Sequence, residues 1–138
     1  MSKEALVAAV KNIMALARAG QLDDAYRGYV RLFTAPDFLN NRPEDQRQAL
    51  RLMIVAKGVP NPPSQAMLEA HRATLGPLTE LVSAFDEPAD YELLGICHIV
   101  LGNTDSAARI FRAGLTIERE RNAASDLCGS LMKRVSLL

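Results

Sequence analysis

The stretch from residue 90 to residue 119, DYELLGICHIVLGNTDSAARIFRAGLTIER, decides the fold. Leu94, Ile96, Ile99, Val100 and Leu101 make its first half an apolar helix. Gly102 and Asn103 stop that helix, and Thr104 with Asp105 is expected to cap a second. Ala107, Ala108, Ile110, Phe111, Gly114, Leu115 and Ile117 then recur on one face at helical spacing. The stretch predicts two helices folded back on each other, with Gly95 and Ala107 small enough to let the backbones come close.

The same design is legible at the start of the chain. Leu6, Val7, Val10, Ile13, Met14 and Ala17 recur at helical spacing from Lys3 to Ala19, and Gly20 ends the run. Asp23 and Asp24 then supply the negative charge that suits the exposed amides of a first helical turn, and Tyr26, Tyr29, Val30, Leu32 and Phe33 continue a helix to about Thr34. Leu16 precedes Ala25 by the same nine positions that separate His98 from Ala107. Ala25-x3-Tyr29 likewise repeats Ala107-x3-Phe111.

Tyr91-x2-Leu94-Gly95-x2-His98 followed by Ala107-x3-Phe111 resembles the tetratricopeptide pattern W-x2-L-G-x2-Y and A-x3-F. Tyr91 stands for the Trp, His98 for the Tyr, and Arg119 where the family has a terminating Pro. In the first unit Asn12 and Ile13 replace the Leu-Gly pair. The resemblance implies an all-α, right-handed superhelix of α-α pairs, here with units at about 3–34, 43–85 (divergent) and 88–121, and a cap over 122–137. Gly129 follows Gly95 by 34 residues, one repeat period, which puts Cys128-Gly129 in the Leu-Gly place of the capping helix and makes Gly95 and Gly129 close-contact positions.

Between these ends the reading is coarser. PDFLNNR, residues 36–42, is a loop in which Phe38 and Leu39 can pack back on the core. Pro43, Glu44 and Asp45 start a helix that Gly58 ends, and VPNPP, residues 59–63, is a rigid turn. Ser64 can cap the next helix, whose apolar face passes Met67, His71, Leu75, Leu78, Val82 and Phe85. Pro77 interrupts it, so the segment either kinks or divides. The continuous apolar register favours a kinked long helix.

Sixteen basic residues balance sixteen acidic ones, so no global field attracts nucleic acid. No apolar run approaches the roughly 18 residues of a membrane span, and Lys11 and Arg18 lie inside the first apolar pattern, unlike the charges of a signal peptide. Cys97 and Cys128 lack metal-ligand spacing and read as buried, reduced thiols of a cytoplasmic protein. His71 and His98 have no His or Glu at i+3 or i+4 and read as packed side chains. No catalytic set, metal site or cofactor is expected.

The family resemblance implies that the first helices of successive pairs line a concave groove that holds a protein partner. Carried over position by position, the partner-binding residues are Val7, Val10, Met14, Ala17 and Arg18 in the first unit. They are Gln48, Leu52 and Val55 in the second, and Ala89, Glu92, Ile96, Ile99 and Val100 in the third. Val10 and Met14 stand where chaperone-binding members carry Lys and Asn, so a carboxylate clamp is absent. This apolar lining suits an amphipathic helix or an extended segment. The expected activity is that of a non-catalytic adaptor, or of an export or assembly chaperone, a size shared with small tetratricopeptide proteins of bacterial secretion systems. The alternatives are a structural subunit whose groove is filled by a second copy, as a homodimer, or by its own cap, and a helical enzyme or small-ligand binder with His71 and His98 in a pocket.

Overall fold

A computed structural model describes all of residues 1–138 and contains seven α-helices, one 3-10 turn and no strand. The helices are α1 (Lys3–Arg18), α2 (Leu22–Thr34), α3 (Pro43–Ile54), α4 (Gln65–Phe85), α5 (Pro88–Val100), α6 (Thr104–Asn122) and α7 (Asp126–Ser136). The chain forms two compact units, residues 1–77 and 78–138. Helix α4 is continuous across that border, which falls at Pro77. It is the long helix expected from the apolar register, and the Ser64 hydroxyl caps it by accepting from the Met67 amide at 3.1 Å.

In the first unit α1 packs on α2. Ile13 is buried on Gly28, where an added Cβ would come 2.8 Å from Ile13 Cγ1. Ala35 takes the extended conformation that the following Pro36 favours, which ends α2. The chain then makes a 3-10 turn, Phe38–Asn40, that buries Phe38 completely and edges its ring against Phe33 at 5.3 Å, while Leu39 stays exposed. Tyr29 stacks on Phe33 at 5.4 Å to complete the aromatic row.

In the second unit α5 packs on α6, and α6 on α7. Gly95 lies under the Phe111 ring and Gly114 lies against Tyr91, so each helix contributes one glycine to the crossing. Phe111, Leu115, Cys128 and Leu131 form the buried cluster between α6 and α7. Arg119 does not break α6 as a proline would. The helix runs on to Asn122, and α7 begins at Asp126 behind a Ser125 cap, four residues later than the sequence suggested. Thr104 and Asp105 fall in the first turn of α6, and Asn103 is its N-cap residue without a side-chain capping bond. Gly129 is exposed with nothing near its missing Cβ, so it is not the close-contact position the repeat period implied.

The two units share one local design at an interval of 82 residues. Gly20 (φ +80°) and Gly102 (φ +81°) close α1 and α5 in the left-handed region. The Gln21 amide bonds the Leu16 carbonyl at 3.0 Å as the Asn103 amide bonds that of His98 at 2.8 Å; Gly20 and Gly102 reach Ala17 and Ile99 at 3.1 and 3.0 Å. The interval persists beyond the hairpins: α3 ends at Ile54 and α7 at Ser136.

Candidate functional site

Helices α1 and α3 line one face of the first unit. The interval of α1 that carries Val7 and Val10 meets Gln48, Ala49 and Leu52 of α3 around a pocket of about 180 Å³, with Lys3, Lys11 and Asp45 at its edge. Four residues expected to bind a partner, Val7, Val10, Gln48 and Leu52, are thereby brought together. Val7 is 40% exposed and Leu52 39%, so the apolar lining is open to solvent.

A second pocket of about 580 Å³ continues past Leu52 towards the C-terminal end of α1. It brings Met14, Ala17 and Arg18 against Leu52 and Lys57, above a floor that includes Tyr26 and Tyr29. The Tyr29 hydroxyl donates to the Met14 sulfur at 3.8 Å, which fixes the thioether at the junction of α1 and α2. Burial raises the pKa of both tyrosines, so their hydroxyls stay protonated donors. Val55 is exposed and outside both pockets. The tyrosine floor and Lys11 and Lys57 escaped the sequence reading, which followed the apolar stripe of first helices only.

The second unit has an equivalent pocket. Its lining residues Ile96, Ile99, Thr104, Phe111, Arg134 and Leu138 stand 82 positions after Met14, Ala17, Leu22, Tyr29, Leu52 and Ala56 of the first unit's larger pocket. The neighbouring place, open and apolar around Val10, Gln48 and Leu52, is closed in the second unit by Glu92, Ser130 and Arg134. The Ser130 hydroxyl donates to Glu92 Oε2 at 2.5 Å and Arg134 Nε at 2.9 Å. Glu92 is 8% exposed, and Arg134 also lies 5.8 Å over the Phe111 ring. Glu92 is thus a tether for α7, and Ile96 packs against the α6–α7 cluster, while Ile99 remains exposed.

Each histidine has a polar neighbour at its Nδ1. His71 is 2% exposed and its Nδ1 lies 2.8 Å from the Met67 carbonyl, so Nδ1–H donates there; burial lowers its pKa despite that bond. The Asn103 amide nitrogen lies 3.2 Å from His98 Nδ1, and burial with the Arg109 charge lowers the His98 pKa. Cys97 and Cys128 are both buried, and they form no disulfide. No three His, Cys, Asp or Glu side chains are grouped to hold a metal ion, and no helix is long and apolar enough to cross a membrane. Comparison with family models, with characterised proteins and with solved structures finds no match.

Proposed function

We propose that the chain is a non-catalytic protein-interaction module, an adaptor or assembly chaperone of the cytoplasm, that holds a partner's helix or extended segment between α1 and α3. One observation carries this reading. Where the second unit seals itself with Glu92, Ser130 and Arg134, the first leaves Val10, Gln48 and Leu52 around an open apolar pocket. Exposed valine and leucine side chains gathered in a concavity are the usual mark of a docking surface. The tetratricopeptide reading, with three pairs in a right-handed superhelix and a cap, rests on the sequence pattern, and the likeness of the two glycine turns fits its first and third pairs.

The test is a pull-down from native cytosol with the wild type and with a Val10→Glu, Leu52→Glu double variant whose helicity is checked by circular dichroism. A partner retained by the wild type and lost by the variant supports the reading. Retention by both sinks it. A wild-type dimer that the variant splits, with no partner captured, assigns the groove to a second copy of the chain instead.

A further inference from the structure

The two pockets flanking Leu52 differ from the rest of this neutral chain in their charge. Lys3, Lys11, Arg18 and Lys57 line them, against the single carboxylate of Asp45. Asp45 is already approached by Lys3 at 3.9 Å and by Arg42 at 3.5 Å. Lys11, Arg18 and Lys57 have no carboxylate partner. Glu4, beside Lys3 at the start of α1, lies in an adjoining shallow depression that shares Lys3, Val7 and Lys11 with the first pocket, so two carboxylates stand near four cations. The groove is therefore an apolar floor with a cationic lip in a molecule whose formal net charge is zero.

The pockets also set a spacing. The α1 wall of one includes Val7 and Val10, and that of the other includes Met14 and Ala17, seven residues further along α1. At 1.5 Å per residue this is about 10 Å. A bound helix lying along α1 spans the same distance with side chains at i and i+7, which share a face. An extended segment covers it in about three residues, which turns the two side chains to opposite faces. The spacing selects a helix over a strand.

Resting on the partner-binding reading above, we infer that the occupant of the α1–α3 groove is an acidic amphipathic helix. Two apolar anchors about two turns apart enter the pockets, and Asp or Glu side chains beside them meet Lys11 between the pockets and Arg18 and Lys57 at the far end.

Two capped, fluorescein-labelled helical peptides test this by anisotropy with the full chain. Both carry Leu at i, i+3, i+4 and i+7; one has Glu at the flanking positions and the other Lys. The acidic peptide is expected to bind the wild type at least tenfold more tightly than the basic one, and to weaken as salt is raised from about 0.1 M to about 0.5 M. A Lys11→Glu, Arg18→Glu variant, altered only at exposed positions, is expected to reverse that preference. Equal binding of both peptides, insensitive to salt, overturns the charge assignment while leaving an apolar partner groove. Binding of the acidic peptide that survives Val10→Glu, Leu52→Glu overturns its placement. Failure of both peptides, alongside a partner lost from that same variant in the pull-down, overturns the helix assignment and leaves the interaction reading standing.

Discussion

Ile13 of α1 rests on Gly28 of α2, the mirror of the contact in which Phe111 of α6 rests on Gly95 of α5. In each of these two contacts one partner is a glycine and the other a bulky side chain. The glycine is on the second helix in the first hairpin and on the first helix in the second, where Gly114 of α6 adds a further close contact with Tyr91. The absence of the Leu-Gly pair from the first unit therefore does not weaken its packing, because Gly28 supplies the close approach from the other side.

The two contacts differ in how they can yield. At Gly95 an added methyl meets three atoms of the Phe111 ring, all within 3.0 Å, and a ring cannot bend away. Gly95→Ala is expected to destabilise the chain by about 1–3 kcal/mol, with Phe111→Leu restoring part of the loss. At Gly28 the methyl meets the Ile13 Cγ1 and Cδ1, the outer part of a side chain that can change rotamer. The gain in helix propensity, about 1 kcal/mol, offsets much of the clash. Urea denaturation of both variants measures the difference.

Gly102 and Gly129 separate backbone geometry from packing, since neither has any atom near its missing Cβ. At φ +81° Gly102→Ala is expected to cost about 1–2 kcal/mol. Gly129 lies inside α7, where Ala is expected to add about 0.5–1 kcal/mol of stability. A destabilising Gly129→Ala in thermal melts contradicts the open environment assigned to it.

Glu92 holds α7 to α5 through Ser130 and Arg134. Glu92→Ala is expected to cost about 1–3 kcal/mol, reduced by the partial exposure of Arg134, and to speed amide hydrogen exchange over residues 126–136. Protection in α1 is expected to be unaffected. Uniform loss of protection across both units contradicts a local tether.

The native state holds His71 neutral, with its pKa below the ordinary 6.5 because burial penalises the imidazolium. The unfolded chain takes up a proton first as pH falls, so His71 contributes stability that is complete above about pH 6.5 and is lost as pH falls through the lower folded value. His98, lowered by burial and by Arg109, acts with the same sign. His71→Asn, which can still donate to the Met67 carbonyl, is expected to flatten the decline in melting temperature between about pH 7 and pH 5. A decline as steep as that of the wild type places the pH dependence elsewhere.

Helix content and the glycine turns were legible because Gly20 and Gly102 end apolar periodic runs, and that signal is local. The Pro77 segment yielded to the same logic: its apolar register continues past the break, and α4 is one helix. The end of the second hairpin near residue 121 agrees with α6 ending at Asn122. The start of α7 was not legible, because the four residues that lead into the Ser125 cap carry no apolar period to mark them. Val7, Val10, Gln48 and Leu52 were named together through the family resemblance, and they line one pocket. Glu92 was given the same role by position alone. Its burial depends on Ser130 and Arg134, some forty residues away, which periodicity does not report.

The groove between α1 and α3 is tested most directly by site-specific photo-crosslinking in native cytosol, with the crosslinking amino acid at position 10 or at position 132. Both sites present apolar side chains, and Met132 on α7 is 48% exposed. The account predicts a discrete adduct to another protein from position 10, suppressed by an excess of the acidic helical peptide, and none from position 132. Adducts of equal yield from both sites, or from position 132 alone, contradict it.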